Sequence, residues 1–204
     1  MTGLAIRTFL TMLVVIDPLG LVPMFLALAG ERPAADQRRI ALRAITIAAG
    51  ILVSFGIGGS WLLDQLEISL DAFRIAGGLL LFRISAQMVF AAYERETKEE
   101  KAESLARRDI SVFPLAIPII AGPGAIASLM ILIGESRAYP LGFLLVLAMT
   151  GIVLVLGHIA LVVSEPVGRL LGQTGVNVVT RVLGVLLAAL AVQYVADGVR
   201  GLLR

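Results

Sequence analysis

The sequence predicts an all-α, polytopic membrane protein with six transmembrane helices in two inverted three-helix repeats, the first and fourth helices being broken. Three observations support this prediction: an apolar composition, six long apolar stretches, and proline-containing interruptions at corresponding places in the first and fourth stretches. We expect residues 1–204 to form a single membrane domain.

The composition separates this chain from soluble proteins. Hydrophobic residues make up 58% and charged residues 16%, against about 45–50% and about 25% in a soluble domain. The mean hydropathy of +0.95 points the same way. The lack of cysteine excludes thiolate metal sites, and a single histidine argues against a histidine metal site. We therefore expect no cofactor and no metal. The net charge of +2 says little about nucleic acid, and we expect no nucleic acid partner.

Six stretches are long enough to cross a bilayer, whose core of about 30 Å requires about 20 apolar residues. A single segment that crosses the hydrocarbon can hydrogen-bond all of its backbone amides and carbonyls only as a helix. The predicted spans are 4–30, 40–63, 68–93, 112–134, 141–164 and 176–203. A cleaved signal peptide is the weaker alternative for the first stretch, which is too long and contains Asp17, Pro18 and Pro23.

The connections between the spans predict their orientation. Lys and Arg are more numerous in the first, third and fifth connections, and the positive-inside rule assigns these to the cytoplasm. We therefore expect a multi-pass protein of the inner membrane with both termini outside. A charged cytoplasmic linker, 94–110, would separate a first repeat, 1–93, from a second, 111–204. A regulatory or partner-binding element is the alternative to a solvated linker.

Two matches suggest that the chain contains an internal duplication. The stretch 74–80 is identical to 181–187 at four of seven positions, including an arginine and a glycine. Pro18 and Pro123 correspond at nearly the same offset. Because three spans is an odd number, the second half enters the membrane from the other side, which gives the inverted repeats of many secondary transporters.

The two proline-containing interruptions form the predicted solute site. Irregular backbone at membrane depth is tolerated only where protein buries it or where it lines a cavity. A half-helix N-terminus suits an anion, while a carboxylate and carbonyls freed by proline suit a cation, so one small zwitterion fits both. The predicted substrate-binding residues are Asp17, Pro18, Leu19, Gly20, Pro23, Ala121, Gly122, Pro123 and Gly124. The alternative is that the prolines only kink packed helices.

Four polar side chains are candidates for gating or coupling: Asp17, Arg74, Arg181 and Gln193. Asp17 is the only acid deep within a predicted span, and acids there are costly and usually functional. A substrate or proton role for Asp17 competes with a purely structural role as a helix N-cap. For both arginines, snorkelling to lipid head groups competes with pairing at a broken helix. No residue is assigned a catalytic role.

In these segments the chain resembles the MarC family of bacterial and archaeal inner-membrane proteins. The matching elements are 17–25, 73–78, 113–118 running into 121–124, and 181–184 with Gln193 and Gly198 downstream. The resemblance covers essentially the whole chain and implies six helices. It also implies a transporter or exporter, with small neutral amino acids such as alanine and glycine as substrates of an archaeal relative.

The sequence thus predicts a carrier for small neutral amino acids that bind at the midplane between the two breaks. Proton coupling and the oligomeric state stay open, and the expected partners are a small solute and membrane lipid. A passive channel or an exporter of other small metabolites is the alternative. An intramembrane enzyme is a weaker one, because the chain offers neither a His-Glu-x-x-His helix nor a second acid beside Asp17.

Overall fold

The structure, a computed structural model, describes residues 1–90 and 110–203, and all regular elements in these ranges are helices. The helical segments are α1 Thr2–Ile16, α2 Leu21–Ala29, α3 Ala34–Gln65, α4 Leu70–Phe90, α5 Ser111–Ile120, α6 Pro123–Ser136, α7 Gly142–Val162 and α8 Ser164–Leu202. Except for Ile110, the predicted charged linker 94–110 lies outside the described residues, as does the end of the third predicted span.

Membrane-crossing helices dominate the described ranges. Five are long and apolar enough by themselves: Thr2–Ala29, Ala34–Gln65, Leu70–Phe90, Gly142–Val162 and Thr174–Leu202. The first of these combines α1 and α2. A sixth span results if α5 and α6, which are bent by 51° relative to each other, cross together. The prediction of an all-helical protein with several membrane spans is confirmed.

Helix α8 begins well before the apolar stretch that predicts it. It starts at Ser164, and Pro166 is tolerated because a first-turn residue needs no helical amide partner. Glu165 and Arg169 form an ion pair one turn apart in this exposed part. Gly172, at φ 60° and ψ 174°, interrupts the helix just before the membrane-crossing part begins. Hydropathy therefore located the span but not the polar helix that leads into it.

The apolar side chains form two core clusters. The larger cluster draws buried residues from α1, α2, α3, α5, α6 and α7. The smaller cluster contains Leu81, Met88, Ile131, Leu187, Ala191 and Tyr194. It fills the space between α4, α6 and α8, so α6 contributes to both clusters and lies between them.

Helices α4 and α8 pack against each other in antiparallel orientation. Gly78 of α4 faces Ala191 and Val195 of α8, whereas Gly184 of α8 faces Ser85 and Met88 of α4. An added Cβ at either glycine would come within 3 Å of atoms on the other helix. Small residues here allow the close approach that drives helix association in membranes.

Contacts between helix ends bring several termini to the same end of the bundle. Arg7, near the start of α1, pairs with Glu135 near the end of α6. Arg74, near the start of α4, also reaches Glu135, and Asp71 beside it lies against Gly201 at the end of α8. The start of α1 and the end of α8 therefore lie at the same end of the bundle.

Candidate solute site

Asp17 interrupts the first span. It ends α1 in the left-handed conformation, at φ 46° and ψ 68°, and its amide donates to the Leu13 carbonyl at 3.0 Å. A single left-handed residue commonly closes a helix, and aspartate tolerates this conformation better than most residues. The residue is only 9% exposed, and its Oδ1 accepts a hydrogen bond from the Gly20 amide at 3.0 Å. A carboxylate is thereby fixed inside an apolar span.

In the turn from Asp17 into α2, some backbone carbonyls are hydrogen-bonded to amides of the same segment. The Asp17 carbonyl accepts from the Leu21 amide at 3.1 Å, and the Leu19 carbonyl accepts from the Val22 amide at 3.2 Å. The expectation that proline frees carbonyls here is therefore wrong for Leu19. Pro23 has no amide hydrogen to donate to the Leu19 carbonyl, but the turn brings the Val22 amide to that carbonyl instead. The prediction of a cation site at this break therefore rests on the carboxylate and not on that carbonyl.

The predicted fourth span is interrupted where α5 meets α6. Gly122 is extended, at φ −78° and ψ 172°, and Pro123 is the first residue of α6. Upstream, Phe113 and Ile117 are extended because each precedes a proline, whose ring excludes the helical region for the residue before it. Both of these prolines follow cis peptide bonds. Among the described residues, no side chain caps the α6 N-terminus.

The predicted substrate-binding residues differ in their surroundings. Pro18, Ala121, Gly122 and Gly124 are buried; Leu19, Gly20 and Pro23 are partly buried; Pro123 is exposed. Gly124 packs against Leu81 and Ile84 of α4, so its small size serves helix packing.

The two interruptions border the same apolar cluster. Helices α1 and α6 contact each other, and the flanking residues Ile16, Leu21, Ile120 and Ala121 all belong to the larger core cluster. Two clefts lie elsewhere, and none of the predicted binding residues lines either one. The smaller, of about 70 Å³, lies between α3, the start of α4 and α6, and the larger, of about 290 Å³, lies between α3, α6 and α7. Binding at the interruptions therefore stays a prediction.

The gating candidates other than Asp17 have different environments. Arg74 is partly buried and pairs with Asp71 at 2.7 Å and with Glu135 at 3.4 Å. Arg181 is exposed on α8. Gln193 is also exposed and donates to Asp197, one turn along the same helix, at 2.8 Å. Of these three candidates, only Arg74 contacts a charged residue on another helix in the described ranges.

Sequence reasoning missed a group of polar side chains between α1, α6 and α8. Thr8, Thr11, Ser128 and Tyr194 are all buried, and Glu135 lies beyond them at the bundle end. One signal was available, because Thr8 and Thr11 are spaced to share one face of α1. Glu135 escaped attention because it directly follows the predicted fourth span.

This arrangement of apolar helices defines an integral, multi-pass α-helical membrane protein. The chain belongs to the MarC family: residues 3–203 match the family described as "MarC family integral membrane protein". The resemblance seen in the sequence is thereby confirmed. No solved structure matches the chain.

Three relatives from distant organisms are similar over nearly their whole length. A UPF0056 membrane protein of Methanocaldococcus jannaschii is 36% identical over 201 residues, 97% of each chain. YvbG of Bacillus subtilis is 34% identical, covering 99% of this chain and 97% of its own. YhcE of Escherichia coli is 33% identical, covering 96% and 92%. Both are also named UPF0056 membrane proteins, and none of these names states a substrate or an enzymatic activity.

Proposed function

We propose that this protein is a carrier for small neutral amino acids such as glycine and alanine. The observation that carries the proposal is Asp17, a carboxylate only 9% exposed at an interruption of an apolar span. An ionisable side chain inside a bilayer is costly and marks a functional site by default. A turn that served only to bend the helix would not need the charge.

The chemistry of the two interruptions suits a zwitterion. The Asp17 carboxylate provides the negative charge for an ammonium group, and it is already oriented by the Gly20 amide. The α6 N-terminus provides amides and a partial positive charge for a carboxylate. No side chain in the described ranges caps that terminus, so its amides are available to a guest.

The surroundings of the interruptions favour a small, uncharged solute side chain. The flanking residues Ile16, Leu21, Ile120 and Ala121 are apolar and buried. A polar or charged solute side chain would lose its hydration there without gaining a partner, which costs free energy. Glycine and alanine avoid this cost because their side chains carry no polar group.

We also propose that 1–93 and 111–204 are inverted repeats. Their matching segments, 74–80 and 181–187, belong to α4 and α8, which pack in antiparallel orientation with glycines facing the other helix from both sides. Equivalent helices of inverted repeats run in opposite directions across the membrane, as these do. The proposed orientation has both termini outside and 94–110 in the cytoplasm.

Counterflow in liposomes tests the carrier proposal. Purified protein is reconstituted into liposomes loaded with unlabelled glycine and is then exposed to a trace of labelled glycine. A carrier exchanges the two and accumulates label transiently above equilibrium, whereas a passive channel only equilibrates it. Protein-free liposomes give the background. Label entry at the background rate for both glycine and alanine would overturn the proposal.

A further inference from the structure

Three buried hydroxyls lie on the inner side of the Glu135 ion pairs. Thr8, Ser128 and Tyr194 are at most 1% exposed. None of the three hydroxyl oxygens makes a well-formed hydrogen bond in the part of the chain that the structure describes. The Tyr194 hydroxyl is close enough to the side chains of Thr11 and Ser128 to interact weakly with them, and it lies within electrostatic range of Glu135. We call Thr8, Thr11, Ser128 and Tyr194 the hydroxyl cluster.

Three other buried hydroxyls in the described ranges behave differently. Ser85, Ser136 and Thr150 each donate to a carbonyl on their own helix at 2.7–2.8 Å. This is the usual way for a helical serine or threonine to satisfy its hydroxyl. Thr8 and Ser128 are also helical but make no such bond among the described residues. Their hydroxyls are therefore available to a molecule other than their own backbone.

Leaving these groups without a partner is energetically unfavourable. A buried polar group that lacks a hydrogen bond costs about 1–3 kcal/mol, and nearly all such groups in proteins are satisfied. Hydroxyls both donate and accept, so the cluster suits a small molecule that also does both. Water and a small zwitterion share this chemistry.

The hydroxyl cluster lies between the bundle end and the two interruptions along both α1 and α6. On α1, Thr11 is six residues before Asp17, or about 9 Å along the helix axis. On α6, Ser128 is about 6 Å from Gly124 and about 10 Å from Glu135 by the same rise. The order from the bundle end inward is therefore ion pairs, hydroxyls and interruption on both helices.

The ion pairs cover the outer side of the cluster. Glu135 of α6 contacts Arg7 of α1 at 2.8 Å and Arg74 of α4 at 3.4 Å, so one carboxylate connects three helices. The Arg7 side chain is 45% exposed, and those of Glu135 and Arg74 are 18% and 20% exposed. Because Arg7 is exposed, water screens its pair with Glu135, which can break and re-form as a gate must.

We propose that the hydroxyl cluster is a binding station for a small zwitterionic solute between the bundle end and the Asp17 interruption, and that Glu135 with Arg7 and Arg74 forms its gate. The zwitterionic class rests on the proposed function. The gate and the position of the station do not rest on the proposed function, because they follow from the burial of the hydroxyls and the position of the ion pairs.

Cysteine labelling tests the gate directly, since the chain contains no cysteine of its own. Ser128→Cys is made alone and together with Glu135→Gln, and the thiol is reacted with a small, membrane-impermeant cationic thiosulfonate. Gly3→Cys, on an open part of α1, identifies the face of the membrane that carries the gate. We expect Glu135→Gln to speed labelling of Ser128→Cys from that face about tenfold, because two boundary ion pairs are lost.

Matched controls separate opening of the gate from general loosening. Ser85→Cys is equally buried but bonded to its own helix, and its labelling should stay slow with or without Glu135→Gln. Arg7→Gln is the second gate variant, and because the Arg7 side chain is 45% exposed we expect the fold to tolerate its loss. The proposal is overturned if neither gate variant speeds labelling of Ser128→Cys, or if Ser85→Cys accelerates as much.

Protection by glycine tests the binding station. Saturating glycine should slow labelling of Ser128→Cys at least severalfold in the Glu135→Gln background. Glycine counterflow by the unmodified protein, measured in parallel, separates the two proposals. Counterflow without protection overturns the station and leaves the proposed function standing. Protection without counterflow overturns the proposed function and leaves the station standing.

Discussion

The Gly20 amide donates a 3.0 Å hydrogen bond to Oδ1 of Asp17 across the interruption between α1 and α2. A Cβ on Gly20 would occupy the space that the Asp17 carboxyl group fills. The two residues therefore act as one unit that holds a carboxylate inside an apolar span. A change at either residue tests what this unit does.

Gly20→Ala should displace the carboxylate without removing it. The added methyl group overlaps the Asp17 side chain, and such overpacking typically costs about 1–3 kcal/mol. We expect a lower unfolding temperature and loss of most glycine uptake, measured on the same reconstituted preparation. Gly3→Ala, where nothing lies within 4 Å, is the control and should leave both unchanged. Equal uptake by the two variants would show that the position of the carboxylate is unimportant.

A proton-carrying role for Asp17 makes a separate prediction. Uptake by the unmodified protein should change when a proton gradient is imposed on the liposomes, because protonation removes the charge of the carboxylate. Asp17→Asn keeps an oxygen for the Gly20 amide but takes up no proton, so the same gradient should not affect it. Asp36→Asn, at the exposed start of α3, should respond like the unmodified protein. A full response in Asp17→Asn would assign proton coupling elsewhere.

The α4–α8 interface should be sensitive to added methyl groups. Gly78→Ala and Gly184→Ala each place a Cβ within 3 Å of the facing helix, and we expect a cost of about 1–3 kcal/mol in unfolding free energy. Gly58→Ala and Gly151→Ala meet open space and should be neutral or stabilising by up to about 1 kcal/mol. Denaturant titration in mixed micelles measures all four. Similar values for the two pairs would contradict close packing at this interface.

The ion pair between Arg74 and Glu135 should show energetic coupling. We expect the effects of Arg74→Gln and Glu135→Gln on the unfolding free energy to be non-additive by about 0.5–3 kcal/mol, because the two side chains are largely buried and in contact. Denaturant titration of the single and double variants measures this coupling. The exposed pair Glu165 and Arg169 provides the comparison and should couple by less than about 0.5 kcal/mol. Additive effects at Arg74 and Glu135 would remove the gate from the account.

The sequence predicts the membrane-crossing segments well because hydrocarbon imposes both their length and their composition. Predicted spans 40–63 and 141–164 lie close to the helices Ala34–Gln65 and Gly142–Val162. The helix ends are less predictable because a helix continues into water wherever local propensity allows it. The early start of α8 at Ser164 is one example.

The polar side chains inside the bundle could not be predicted from the sequence. Asp17 stands out because its charge interrupts an apolar stretch, whereas Ser128 and Tyr194 lie in stretches that read as ordinary membrane helix. Their significance depends on long-range packing of α1, α6 and α8, which periodicity does not specify. Arg74 and Arg181, the first residues of the two similar stretches, show the same limit, since of these two only Arg74 contacts an acid on another helix in the described ranges.

The most direct test of the solute site is glycine counterflow by Asp17→Asn compared with Asp36→Asn, at equal amounts of folded protein in liposomes. A lost charge-assisted hydrogen bond costs about 1.5–3 kcal/mol, so Asp17→Asn should need at least about tenfold more glycine for half-maximal exchange. Asp36→Asn should match the unmodified protein. Unchanged glycine dependence in Asp17→Asn would contradict a solute site at the interruption of the first span.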